Sequence, residues 1–262
     1  MRHVATRLLS ISRPLAVALL FLTITAHAAA ADEHYFDSDG VRLRYTIDGE
    51  GDPVVLIHGY TANGALNWRA SGVIRMLADD YQVITLDCRG HGGSDKPETV
   101  DAYGVTMVED VVRLLDHLEI DQAHIAGYSM GGMITLKFAS MHPERMRSAA
   151  VCGMGWISAA AAEARPQRER SGSSGSAALA ACANGFRNLA LTRAALLEID
   201  VPLTVIVGAN DGLLERTVEP LRQARTDIPV VIVPDANHVN CAFKPEFRQA
   251  LATFIDQQNE SP

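Results

Sequence analysis

The sequence predicts an α/β fold, a mostly parallel sheet covered by helices on both faces, and three observations carry that prediction. Val54-Val55-Leu56-Ile57 and Leu203 to Gly208 are apolar runs of the kind expected of strands buried on both faces. Segments with helical spacing, such as Val105 to Leu118, lie between such runs, and this alternation favours parallel pairing through crossovers. At 262 residues, 48% hydrophobic and 21% charged, the chain suits one large core better than two domains.

The elements follow in order. Arg2, Arg7 and Arg13 precede the apolar run Leu15 to Ile24, and small residues follow to Ala31. Residues 1–30 therefore read as a secretory signal peptide cleaved near Ala28 or Ala30, its apolar run being too short for a permanent span. The expected location is secreted or periplasmic, with no stable membrane anchor after cleavage, and residues 31–262 form the folded domain. Removing the leader takes away arginines and no acids, so the remainder is more acidic than the chain's net charge of −8. Nothing in it offers the cationic footprint that nucleic acid requires.

Val41 to Ile47 alternates apolar and polar, the period of a half-exposed strand. After the Val54–Ile57 strand comes His58-Gly59-Tyr60, then a predicted helix through Asn67 and Trp68 to Leu77, and a strand over Tyr81–Leu86. The glycine-rich loop from Asp87 to Asp95 lacks the lysine and hydroxyl spacing of a phosphate cradle and reads as a structural turn. The helix Val105 to Leu118 leads to a strand ending at Tyr128, a helix over 130–139 and a strand over 147–151.

From about 154 to 200 the pattern changes. An alanine run, the charged run Glu163 to Arg170, the tract Ser171 to Ser176 and a helical segment from Ala177 to Leu197 read as a short lid over the carboxyl end of the sheet. Trp156, at its start, is a candidate for the substrate pocket, whereas Trp68 reads as core. Strands over 203–208 and 229–233 and a final helix from Pro245 to about Ile255 complete the domain. Cys88, Cys152, Cys182 and Cys241 match no metal spacing, and in an oxidising compartment they allow several disulfide pairings or none. No metal or cofactor is expected.

The chemistry centres on Gly127-Tyr128-Ser129-Met130-Gly131. A serine at a sharp turn between strand and helix needs small residues two positions to either side, and the helix N-terminus beyond it favours developing negative charge. Asp211 and His238 also follow apolar strands closely, so all three fall at the same edge of a parallel sheet. A serine hydroxyl becomes a useful nucleophile at neutral pH when an imidazole accepts its proton and a carboxylate holds that imidazole in one tautomer. The N–H groups of Tyr60 and Met130 are the candidate oxyanion donors. Asp235 is a second candidate carboxylate, but it shares the strand end of His238. His58 and His91, flanked by glycines, read as structural.

In combination these motifs resemble the α/β-hydrolase family over nearly everything from Val41 to Ile255. His58-Gly59 is similar to the family's oxyanion-loop signature, Asp87-x-Arg89-Gly90-x-Gly92-x-Ser94 to its next loop, and residues 127–131 to its elbow. The chain order Ser, Asp, His matches as well. The resemblance implies an α/β-hydrolase fold with an eight-stranded type of sheet and a serine-nucleophile, esterase- or lipase-like site. Haloalkane dehalogenases and epoxide hydrolases carry aspartate at the elbow, and Ser129 points away from them. The expected activity is cleavage of a small carboxylic ester through an acyl-enzyme; carbon–carbon bond hydrolysis, lactone opening and perhydrolysis are alternatives on the same scaffold. A binding protein that kept the fold is the reading from another class.

Overall fold

Continuous apolar runs, buried on both faces, build the centre of the molecule. In the computed structural model, which describes residues 33–164 and 176–259, the strands are β1 (Glu33–Ser38), β2 (Val41–Asp48), β3 (Asp52–Ile57), β4 (Tyr81–Leu86), β5 (Ala123–Tyr128), β6 (Met146–Cys152), β7 (Leu203–Gly208) and β8 (Val230–Val233). They form one eight-stranded sheet in the order β1-β2-β4-β3-β5-β6-β7-β8. β1 and β2 pair antiparallel with each other, and β2 with β4, while all pairs from β4 to β8 are parallel. The leader at residues 1–30 lies outside the described residues.

Successive side chains of the central strands enter two different cores. Val55, Ile57, Ile125, Ala149, Val151, Val205 and Val207 pack on one face. Val54, Leu56, Ala126, Ala150, Cys152 and Ile206 pack on the other. The first face is covered by α2 (Val105–His117) and α3 (Met130–Met141), the second by α1 (Val73–Leu77) and α8 (Pro245–Asn259). Burial on both sides is the reason these strands lack a polar face.

Three features differ from the sequence expectation. The helix expected to run from Asn67 to Leu77 is split into a wide helical turn, Ala65–Arg69, and α1, because Gly72 takes φ 80° between them. The helical stretch expected from Ala177 to Leu197 is also broken. α5 (Ala177–Gly185) is followed by a tight turn at Phe186–Leu189, and α6 (Arg193–Leu197) starts afresh where the Thr192 hydroxyl accepts from the Ala195 N–H. β1, and the helical stretch formed by Leu214–Val218 and α7 (Glu219–Ala224), are additional elements that the apolar patterning did not announce. Between β6 and β7 the insertion carries α4 (Ala159–Glu163), α5 and α6. Most of its charged run and serine-glycine tract, residues 165–175, lie outside the described residues.

Candidate active site

β5 delivers Ser129 at its carboxyl end, and α3 begins at the next residue. The reversal is sharp enough to hold Ser129 at φ 54°, ψ −108°, a conformation that L-residues adopt only under constraint. The constraint comes from close packing. A Cβ on Gly127 would collide with the carbonyl of Gly131, and one on Gly131 with the carbonyl of Ile57 in β3. The Ser129 N–H donates to the carbonyl of Cys152 at 2.7 Å, and the Ser129 carbonyl accepts from Met133 at 3.1 Å. The first bond ties the elbow to β6 and the second starts α3.

The loops after β7 and β8 bring the other two groups. His238 Nε2 lies 2.9 Å from Ser129 Oγ, and His238 Nδ1 lies 2.7 Å from Asp211 Oδ2. A carboxylate can only accept, so the ring proton sits on Nδ1 and leaves the Nε2 lone pair facing the serine hydroxyl. Asp211 is almost entirely enclosed, its side chain 1% exposed against 38% for His238. Its Oδ1 accepts from the N–H of Leu213 at 2.9 Å, which fixes the carboxylate plane. Asp235 is exposed at φ 49°, and the Nδ1 of His238 is taken by Asp211 instead. The carboxylate that holds the imidazole is therefore Asp211.

The β3 loop closes the site from another side. An ideal Cβ on Gly59 would be 3.4 Å from the Ser129 Cβ, so this backbone runs directly beside the serine, with Tyr60 next in the chain. Buried Asn67 pins the loop: its Oδ1 accepts from the Gly59 N–H at 2.8 Å. Sequence reasoning missed Asn67, because a lone asparagine in a helical stretch carries no signature. The side chains of Tyr60 and Met130 both meet α5. Tyr60 donates its hydroxyl to the Leu179 carbonyl at 2.9 Å, and Met130 Sδ is 3.8 Å from Cys182 Sγ.

The remaining candidates have plain structural places. His58 donates from Nδ1 to the Gly59 carbonyl at 2.8 Å and accepts at Nε2 from the Cys88 N–H at 3.0 Å. Burial first, and then the neighbouring His91 ring, push its pKa down to about 4. His91 donates to the Arg89 carbonyl at 3.0 Å. Asp87 accepts from the N–H groups of Gly64 and Gly93 and pairs with Arg44, as expected of a turn rather than a phosphate site. Trp68 is wholly buried. Trp156 donates from its indole to the Leu191 carbonyl at 2.9 Å and, with Met133, Leu136, Ile157 and Leu189, lines a small cavity between α3 and the insertion. Met133 and Leu136, from the first two turns of α3, form one wall of that cavity, and Ser129 is not among its lining residues. All four cysteines are buried free thiols, so none of the disulfide pairings is formed. Among the described residues no cluster of three or more metal-ligating side chains occurs, and no helix is long and apolar enough to cross a membrane.

A family model described as alpha/beta hydrolase fold matches residues 52–188. A dihydrolipoyllysine-residue acetyltransferase component of an acetoin cleaving system from Cupriavidus necator is 38% identical over 125 residues, 47% of this chain and 32% of that protein. A 2-(acetamidomethylene)succinate hydrolase from Mesorhizobium japonicum is 25% identical over 280 residues, covering 87% of this chain and 98% of that one. The crystal structure of an enol-lactonase from Burkholderia xenovorans superposes with a TM-score of 0.71 at 23% identity, over 85% of this chain and 100% of that chain, and so speaks for the fold alone. The chain spans only 32% to 39% of the length of the first curated relatives it matches.

Proposed function

The chain belongs to the α/β-hydrolase-fold family, and from that premise we propose that it is a serine hydrolase acting on a small, fairly apolar carboxylic ester. The observation that carries this reading is the unbroken relay from Ser129 Oγ through the His238 ring to Asp211, at 2.9 and 2.7 Å. In the proposed cycle Ser129 Oγ attacks the acyl carbon while its proton passes to His238 Nε2. The buried Asp211 carboxylate stabilises the imidazolium that forms. The N–H groups of Tyr60 and Met130 receive the oxyanion; removing one such donor typically costs about 3 kcal/mol in transition-state stabilisation. Collapse of the tetrahedral species breaks the ester bond, and the departing alcohol takes the proton from His238. Water, deprotonated by the same imidazole, then releases the acid and restores Ser129.

The apolar side chains of Met130 and Met133, which follow the nucleophile at the start of α3, are what favours an apolar acyl group. We read residues 1–30 as a leader that sends the protein through a secretory route; N-terminal sequencing of the exported protein tests this, with a start near residue 29 or 31 expected. The activity is tested with a fluorophosphonate probe and a panel of acyl esters of graded chain length, run beside a lactone and a peracid assay. Covalent labelling at Ser129 with turnover of short-chain esters is expected. A folded protein that takes no label and is inactive in every assay of the panel favours a binder with this fold, whereas lactone or peracid turnover without ester turnover moves the reading to those activities.

A further inference from the structure

Tyr128 has a place in this site that the relay does not use. It immediately precedes the nucleophile, and its ring and hydroxyl reach across to the loop that carries the base. We propose that Tyr128 is a positioning residue that sets the Ser129–His238 distance through its phenolic hydroxyl, which holds the backbone of His238. The structural part stands by itself; the consequence for turnover rests on the serine-hydrolase reading above.

The hydroxyl donates to the His238 carbonyl at 2.7 Å. The two rings lie 5.6 Å apart at 43°. Tyr128 is 5% exposed and wedged between Trp68 and Phe247, whose rings meet it near-edgewise at 6.3 and 6.1 Å. The buried Cys241 thiol is the nearest ionisable neighbour to act on the same phenol. Burial, the nearest thiol and Asp211 all raise the phenol's pKa, so it stays a protonated donor at every working pH. On its backbone side Tyr128 is the last residue of β5, paired in register with Cys152, and Ser129 follows it directly.

The loop is tied to the end of β7, where the Asn210 N–H donates to the Ala236 carbonyl at 2.8 Å, but that bond lies two residues before the base. Val239, next to the base, is 82% exposed. Asn237 accepts at Oδ1 from the N–H groups of Val239 and Asn240, and Asn240 accepts from that of Asn237. Those bonds stitch the loop to itself and not to the elbow. Asp211 governs how the imidazole is turned, because it grips Nδ1. Tyr128 governs where the imidazole stands, because it grips the carbonyl from which that side chain departs. Nucleophile and base thus hang from one residue, one covalently and one through a hydrogen bond.

The test is Tyr128→Phe, which keeps the ring and its packing and deletes the donor. Displacements well under 1 Å matter at this distance, so kcat toward a short-chain ester is expected to fall about tenfold to a hundredfold, with KM within about twofold. The thermal midpoint should move by only a few degrees. In proton NMR of nitrogen-labelled protein, the downfield His238 Nδ1–H resonance should broaden or vanish in the variant. An unchanged kcat, a fall in kcat with that resonance intact, or equal losses of kcat and fold with it intact would each overturn the proposal. Turnover that survives Ser129→Ala would sink the hydrolase reading instead, and the resonance in Tyr128→Phe would still decide whether the hydroxyl holds the histidine.

Discussion

Asp211 and Asp235 both precede His238 in the chain, and the choice between them rests on where each carboxylate ends up. Asp211 is buried and 2.7 Å from Nδ1, whereas Asp235 is exposed at a positive-φ turn. Asp211→Asn should therefore lower ester turnover by about a thousandfold or more, because an amide can donate to Nδ1 and stabilise the wrong tautomer. Asp235→Asn should leave most activity; steady-state kinetics on the two variants decides, and the reverse ranking would move the acid to Asp235. The elbow glycines give a second residue-scale expectation. Gly131→Ala places a methyl against the Ile57 carbonyl, with no flexible side chain available to yield. A loss of about 3 kcal/mol or more in urea unfolding is expected, and a neutral result would show that the elbow can relax. The three relay residues were legible in the sequence because each ends an apolar strand, and the strand-end rule places them together before any distance is known. Tyr128 and Asn67 were not, because their roles depend on loops far away in sequence meeting them, and no local pattern encodes such a meeting.

Among the elements, β1 shows where patterning fails. Its sequence, Glu-His-Tyr-Phe-Asp-Ser, alternates poorly, and only Phe36 and Ser38 are buried. Pairing supplies what patterning lacks: β1 lies at the sheet's edge in full antiparallel register with β2. A buried ionic cluster then fixes its end. The Ser38 hydroxyl donates to Asp110 of α2 at 2.6 Å, and Arg89, from the loop after β4, forks onto both oxygens of the same carboxylate. Arg89 and Asp110 are 3% and 1% exposed, so neither charge has water to fall back on. Arg89→Ala should strand the Asp110 charge and destabilise the protein by about 3–5 kcal/mol, whereas Ser38→Ala should cost about 1 kcal/mol. Chemical denaturation of both variants tests this, and similar small losses would mean that water reaches the pair. The helical stretch at 214–224 lacks a sequence signature for a related reason. It is short, and its apolar residues Val218 and Leu221 gain meaning only against the core they reach. The breaks that divide the two helices expected through Asn67–Leu77 and Ala177–Leu197 were not read from the sequence: the first falls at Gly72, at φ 80°, and the second where Ala190 turns extended, a residue type that gives no local signal.

Over the whole molecule, several histidines are buried as neutral rings, and this makes stability depend on pH in a definite sense. Burial lowers the pKa of His58, to about 4, and also lowers those of His91 and His124. In the unfolded chain each would titrate near 6.5. Below that pH the unfolded state takes up protons that the folded state refuses, so the stability that the neutral rings contribute is complete above about 6.5 and drains as pH falls toward the folded value. Asp110, whose carboxyl burial raises, acts in the opposite sense, so the bare slope of stability against pH mixes two signs. His58 can be isolated because its bonds admit one protonation state. Nε2 accepts from the Cys88 N–H at 3.0 Å, and a proton there would set two donors against each other beside the loop that carries Tyr60. His58→Asn removes that titration and leaves the other groups in place. The variant is expected to be less stable than the parent at pH 7.5, with a gap in thermal midpoint that narrows as pH is lowered from about 6.5 toward 4. Calorimetry across that range measures the gap directly. A gap that stayed constant or widened would mean that His58 takes up its proton in the folded protein at least as readily as in the unfolded one, and that the loop after β3 tolerates a charged ring.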